Sequence, residues 1–325
     1  MSRAAPRRRG RRCFASAASR RRSRRQRSRA WPSPGRSIST CRFRRTFPTF
    51  PEKRGTITLA HLASHQAGIR HYRGGEALST DRYESITDSL RIVAADPLLF
   101  RPGSDYSYSS YGFNLLGAAL EGASGERFVE VLRREVFAPL GLEHTRLDVP
   151  GVRGRAALYE VRGDRSAEPA PTVDLSDRYP SGGLVSTAEE VARLGSKLGD
   201  TSFLSAGTQK TAFADRRPSS GERTGYGVSW EVADTPVGLF VGHTGNVVGG
   251  TAFLLAHPAP RTPSNGRLRT AAGMLIGPGV ASWAARQRAR RATPAAPRPA
   301  RSAACSSRSK ASLARPVCRS ILAQL

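Results

Sequence analysis

Residues 46–257 predict an α+β domain, an α/β sandwich with a helical lobe. Two observations carry this: apolar residues recur at steps of three and four through the first two thirds of the stretch, and extended, β-rich segments crowd its end. No internal repeat breaks the order.

The elements follow from spacing and punctuation. Thr58 stands as N-cap before a helix to His65 with Leu59, Leu62 and Ala63 on one face, ending at Gly68. Phe113–Leu120 and Phe128–Phe137 are two further helices, separated by the break from Gly122 to Gly125. The stretch 161–183 is rich in turn residues and is expected as a surface loop. Thr187 caps a helix to Leu198 whose first turn holds Glu189 and Glu190, where the helix dipole favours acids. Tyr226–Val232, Val237–Val241 and Thr251–Leu255 are the extended segments.

Charge divides the chain into three. Residues 1–45 hold 17 arginines and no acid, and residues 258–325 hold 13 Lys or Arg and no acid. The middle keeps 22 basic against 25 acidic residues, so the overall +27 belongs to the flanks. Cys13, Cys41, Cys305 and Cys318 also lie there, leaving the middle without a disulfide or a thiolate metal site.

Acid-free Arg/Ser/Ala sequence fits an organellar transit peptide or a basic tail that attracts polyanions without specificity. No apolar stretch of about 7–15 residues follows the N-terminal arginines, so no signal peptide is recognisable, and no run of about 18 apolar residues offers a transmembrane helix. With only Phe14, Trp31 and Phe43 as stacking platforms in the N-flank, specific nucleic-acid recognition is not expected.

Five segments then occur in a telling order. They are residues 58–69 (Thr58 to Ile69), Arg101-Pro102-Gly103 followed by Tyr106 to Gly117, Phe137 to Thr145, Ser181 to Thr187, and His243-Thr244-Gly245. Together they resemble the class C β-lactamase and penicillin-binding-protein-like serine hydrolases, over about two thirds of the chain. The stretch His65 to Tyr72 is most similar to the branch holding the mitochondrial serine β-lactamase-like protein and its bacterial relatives.

The resemblance implies a β-lactamase/transpeptidase-like fold, a small amide, ester or peptide substrate, an acyl-enzyme and no cofactor. Attack on a carbonyl needs an activated hydroxyl, a base, oxyanion donors and an acid for the leaving group. The family takes the first two from Ser-x-x-Lys, yet no such motif precedes Tyr108 here. The resemblance makes Tyr108 the phenolic acid or base, with Ser110 beside it where the family usually has Asn. It makes Thr244 and Gly245 a substrate-binding sheet edge, with His243 in place of the usual Lys and carboxylate recognition correspondingly relaxed.

The genetic code offers one account of the gap. Joining the third base of each codon from Cys13 to Phe43 to the first two of the next permits a reading with Ser-x-x-Lys on an Ala/Leu-rich helix. Its serine falls on the codons of Ala17 and Ala18, and its lysine on those of Arg20 and Arg21. A frameshifted hydrolase and a true pseudo-enzyme, a peptide-binding domain with polyanion-binding tails, both fit the residues. Compartment stays open between cytoplasm and, by family habit, export.

The remaining motifs carry less. His61 and His65 have helical i, i+4 spacing with His71 following, but no carboxylate at a zinc-like spacing, so no metal is expected. Asn114 is expected to face a helix neighbour. Ser307-Arg308-Ser309-Lys310 follows His243 instead of preceding Tyr108 and is a coincidence of composition, and the glycines from Gly242 to Gly250 belong to a sheet turn.

Overall fold

The computed structural model describes residues 41–163, 166–236, 238–258 and 270–276. Arg20–Arg25, the codons of Ala17 to Arg21 that carry the alternative Ser-x-x-Lys, and Ser307–Lys310 lie outside them.

A helical lobe is built around one helix. α1 (Phe43–Thr46) and α2 (Leu59–Ala63) lead into α3 (Ser110–Ser124), followed by α4 (Phe128–Leu132). α3 is buried along nearly its whole length, with Tyr111, Leu115, Leu116 and Leu120 in the core. Its neighbours are α1, α2, α4 and the short helices Ile86–Ser89 and Tyr179–Gly182. Gly122 lies inside α3 instead of ending it, because a Cβ there would stand 2.0 Å from the Thr46 carbonyl oxygen. The true stop is Gly125, left-handed at φ 69.

The second lobe is an antiparallel meander. β5 (Glu231–Thr235), β6 (Gly238–Val247), β7 (Gly250–Ala256) and β8 (Thr270–Ile276) lie side by side in that order. The helix Ala188–Lys197, here α5, packs on β7 and β8. Two small strand pairs accompany them, β1 (Arg146–Leu147) with β4 (Leu184–Val185) and β2 (Tyr159–Val161) with β3 (Ala167–Pro169), besides isolated bridges from Arg42 to Thr58 and from Tyr226 to Glu231. The α+β class and the antiparallel sheet are as the sequence predicts.

Several boundaries differ. Cys41 and Phe43 are buried at 3% and 0%, and Phe43 and Leu59 donate backbone N–H groups to the Ile57 and Cys41 carbonyls, so the fold begins before residue 46. β8 likewise carries it past residue 257, since β7 needs a partner along its outer edge. The stretch 161–183 is not merely a surface loop. Leu175, Ser176, Asp177 and Arg178 are buried, and Arg178 binds Asp177 and the carbonyls of Glu76 and Ala77. The helix after Thr58 stops at Ala63, and Phe128–Phe137 widens to a π turn over Arg133–Phe137. Tyr226–Trp230 is not strand: Tyr226 bridges to Glu231, and the chain reverses through Ser229 at φ 71 with Trp230 buried at 1%. No described helix is long and apolar enough to cross a membrane.

Candidate active site

The site is assembled where α2 ends, α3 begins and β6 passes. Thr58 caps α2 by accepting from the His61 N–H, and the His61 ring returns the favour at the Thr58 N–H. After Ala63 the chain turns sharply, and His65 takes a left-handed φ of 57. A non-glycine residue in that region is strained, and it persists because three backbone bonds surround it. Ser229 donates to the Ala63 carbonyl, Gln66 to that of His61, and Ser107 to that of His65. Ser229, the other left-handed non-glycine residue among those described, is thus tied to the same turn.

This turn delivers His65 to the N-terminus of α3. A helix start leaves backbone N–H groups without helical partners. Ser109 caps its own helix by accepting from Gly112, while its hydroxyl donates to the Arg70 carbonyl. The Ser109 N–H donates to Nδ1 of His65 at 3.1 Å, and the Ser110 N–H to Nδ1 of His71 at 3.2 Å. Two imidazoles therefore finish the helix start, and each must leave Nδ1 bare to do so. Tyr108 is the residue immediately before this cap, so its backbone is fixed from both sides.

The Tyr108 ring stacks obliquely on His65 at 4.3 Å between centroids, meets His71 edge-on at 5.3 Å, and stands 6.3 Å from His243. The motifs at Tyr108 and at His243, distant in sequence, thus meet in space. Ser110, buried at 7%, lies beside Tyr108 and Tyr72, and its hydroxyl favours the ionised form of both phenols. Although 38% of the Tyr108 surface is open, the phenol sits deep enough among protein atoms that desolvation pushes it up to about 12, with the Ser110 hydroxyl opposing.

No positive charge offsets that rise from the three imidazoles. Burial holds His65 well below the usual histidine value, helped by the neighbouring His243 and His71. Burial and then the Arg178 guanidinium lower His71, with Glu76 opposing. Burial lowers His243 to about 4, with the Thr244 carbonyl opposing. His65 Nε2 is buried without a hydrogen-bond partner.

His243-Thr244-Gly245 lies within β6, not at a turn; the turn is Val248-Gly249, joining Val247 to Gly250. Glu231 opposite Gly242 is the last pair between β5 and β6. From His243 onward β6 has β7 on one side and no described strand on the other, which leaves an open sheet edge beside Tyr108. Gly245 is exposed, and a Cβ there would touch nothing within 4 Å. The protein's own packing gives no reason for that glycine, whereas an extended ligand laid along the edge would.

Other expected residues fall outside the cleft. Asn114 gives its Nδ2 to the Asp177 carbonyl at 2.6 Å, tying α3 to the buried segment behind it. His61 is committed to its capping box, and His65 lies beyond the helix, so the two do not form a helical pair. Sequence reasoning missed His65 and His71 as helix-capping imidazoles, and Tyr226 altogether. The Tyr226 hydroxyl meets His243 Nε2 at 3.1 Å. Spacing gives no signal for such contacts.

The profile of the family described as Beta-lactamase matches residues 29–274. The mitochondrial serine beta-lactamase-like protein of Mus musculus is 30% identical over 129 residues, 39% of this chain and 23% of that protein. Penicillin-binding protein 4* of Bacillus subtilis is 25% identical over 232 residues, 66% of this chain and 51% of its own. In structure, a D-stereospecific amidohydrolase from Streptomyces superposes with a TM-score of 0.59 at 17% identity, over 72% of this chain and 73% of that one. The matches span 23% of the first relative and 51% of the second.

Proposed function

This chain belongs to the beta-lactamase-related serine hydrolase family, and from that premise we propose that its cleft is built for acyl transfer from a small amide, ester or peptide. The observation that carries the reading is Tyr108, a fixed phenol facing an unpaired sheet edge. A phenol at about 12 is a proton donor at neutral pH and a poor base. It can protonate a departing amine or alkoxide, but becomes a base only beside a cation that lowers it, the position a Ser-x-x-Lys ammonium would fill.

In the reaction so assembled, a serine hydroxyl adds to the carbonyl carbon and gives its proton to the base. The tetrahedral oxyanion collapses, the bond to the leaving group breaks, and Tyr108 supplies that group's proton. Substrate backbone lies along Thr244 and Gly245. With no Ser-x-x-Lys before Tyr108, the chain as written keeps the cleft and the acid without the nucleophile. It is therefore a ligand-binding domain without acyl-enzyme chemistry, a reading that the missing motif itself favours.

Restoring Ser-x-x-Lys tests the proposal. A chain carrying the alternative reading of codons 13–43 should turn over p-nitrophenyl esters or nitrocefin. Tyr108→Phe in that background should lower kcat by roughly 100-fold, the usual scale for a positioned acid or base. Turnover that survives loss of the phenol would make Tyr108 a packing residue.

A further inference from the structure

We infer that Tyr226 determines specificity: by engaging His243 Nε2, its hydroxyl leaves the sheet edge without a free cationic donor and turns the cleft toward substrates lacking a carboxylate beside the scissile bond. The inference rests on the proposed function and names the substrate class of the same site.

The hydrogen bonds fix the tautomer. His243 Nδ1 stands 2.7 Å from the Thr244 carbonyl oxygen, which can only accept, so Nδ1 carries the proton. Nε2 is then bare and accepts from the Tyr226 hydroxyl. Both ring nitrogens are engaged within the protein. Protonating Nε2 would point its new N–H at the Tyr226 oxygen, so neither charge state leaves an N–H aimed at a ligand.

Tyr226 is placed to hold this arrangement. It is buried at 2%, its ring packs edge-on against His65 at 4.6 Å and against His243 at 5.9 Å, and Tyr106 lies 6.2 Å away. Its backbone is fixed by the bridge to Glu231, by the Thr224 hydroxyl that accepts from its N–H, and by the Arg216 N–H that donates to its carbonyl. The two other imidazoles beside Tyr108, His65 and His71, are committed at Nδ1 to the start of α3. A substrate carboxylate beside His243 would lose its hydration shell and meet no imidazolium at His65, His71 or His243, a cost a neutral amide escapes. The open edge and the bare Gly245 serve a neutral extended acyl group equally well.

Binding to the full chain tests this without any need for turnover. N-acetyl-D-alanyl-D-alanine and its C-terminal amide are titrated at pH 6 by calorimetry. The amide should bind about ten-fold more tightly, the worth of one lost charge-assisted hydrogen bond. Tyr226→Phe frees Nε2 to take up a proton aimed at the ligand, so in that variant the ratio should fall toward one as the pH is lowered from 6 to 4.5, while the unsubstituted chain keeps its ratio. Nitrogen NMR of the histidines in the unsubstituted chain gives a readout that survives a poorly folded variant: His243 should be neutral and protonated at Nδ1 at pH 6. Tighter or equal binding of the acid at pH 6, a ratio in a folded Tyr226→Phe chain that stays unchanged down to pH 4.5, or a His243 protonated at Nε2 at pH 6 would overturn the inference. Failure of both ligands to bind would contradict the proposed cleft itself, and the inference with it.

Discussion

At the scale of the residue, the site is a phenol among neutral imidazoles. His65 and His243 both lie below the usual histidine value of 6.5, driven first by burial, His243 to about 4. For a base whose folded value is depressed, the stabilising contribution is full above the unfolded value and is lost as pH falls through the folded one. Thermal stability should therefore decline between pH 6.5 and pH 4. Glu121, Asp148 and Asp177, raised by burial, work against the fall, because their protonation favours the folded state. Melting temperatures at pH 7, 6 and 5 check this, and a melting temperature that rises from pH 7 to pH 6, above the carboxyl range, would show that the imidazoles are not held neutral. Little of this was legible in the sequence. Tyr108 and His243 stand in motifs with a characteristic order, but His65, His71 and Tyr226 act through single backbone N–H groups and ring faces. Such contacts leave no periodic trace, and the i, i+4 spacing of His61 and His65, from which no metal was expected, gave no sign of a cap either.

At the scale of the element, two glycines on β6 separate structure from function. A Cβ on Gly242 would stand 2.2 Å from the Leu254 carbonyl oxygen across the sheet, whereas one on Gly245 would meet nothing within 4 Å. Gly242→Ala should destabilise the fold by about 1–3 kcal/mol, the range for overpacking. Gly245→Ala should leave stability within about 0.5 kcal/mol yet weaken ligand binding at the edge. Urea unfolding of the two variants decides it, and equal destabilisation would remove Gly245 from the site. Capped helices were the most legible elements, because Thr58 and Thr187 mark their starts chemically: Thr187 accepts from the Glu190 N–H as its position before two acids predicts. Residues 226–230 were misread as strand because Tyr226, Val228 and Trp230 alternate as a strand does, although they are buried by a turn through Ser229. The burial of residues 175–178 was invisible because it depends on an Asp177–Arg178 pair reaching carbonyls about a hundred residues earlier.

At the scale of the whole molecule, the charge partition and the fold agree only in part. The middle holds nearly balanced charge and the described core, yet Cys41 and Phe43 on one side and β8 on the other extend the fold into stretches that composition assigned to basic flanks. Net charge reports on local solvation, and a strand such as Thr270–Ile276 needs only a few consecutive apolar residues and an open neighbour. The family is written across both lobes, while the nucleophile that the family uses is not written before Tyr108. That contrast is tested most directly by intact-mass spectrometry after exposing the full chain to a fluorophosphonate or a fluorescent penicillin. The chain as written should show no covalent adduct, and the same chain with Ser-x-x-Lys restored should show one per molecule. A stoichiometric adduct on the unaltered chain would contradict the account and place a working nucleophile elsewhere in it.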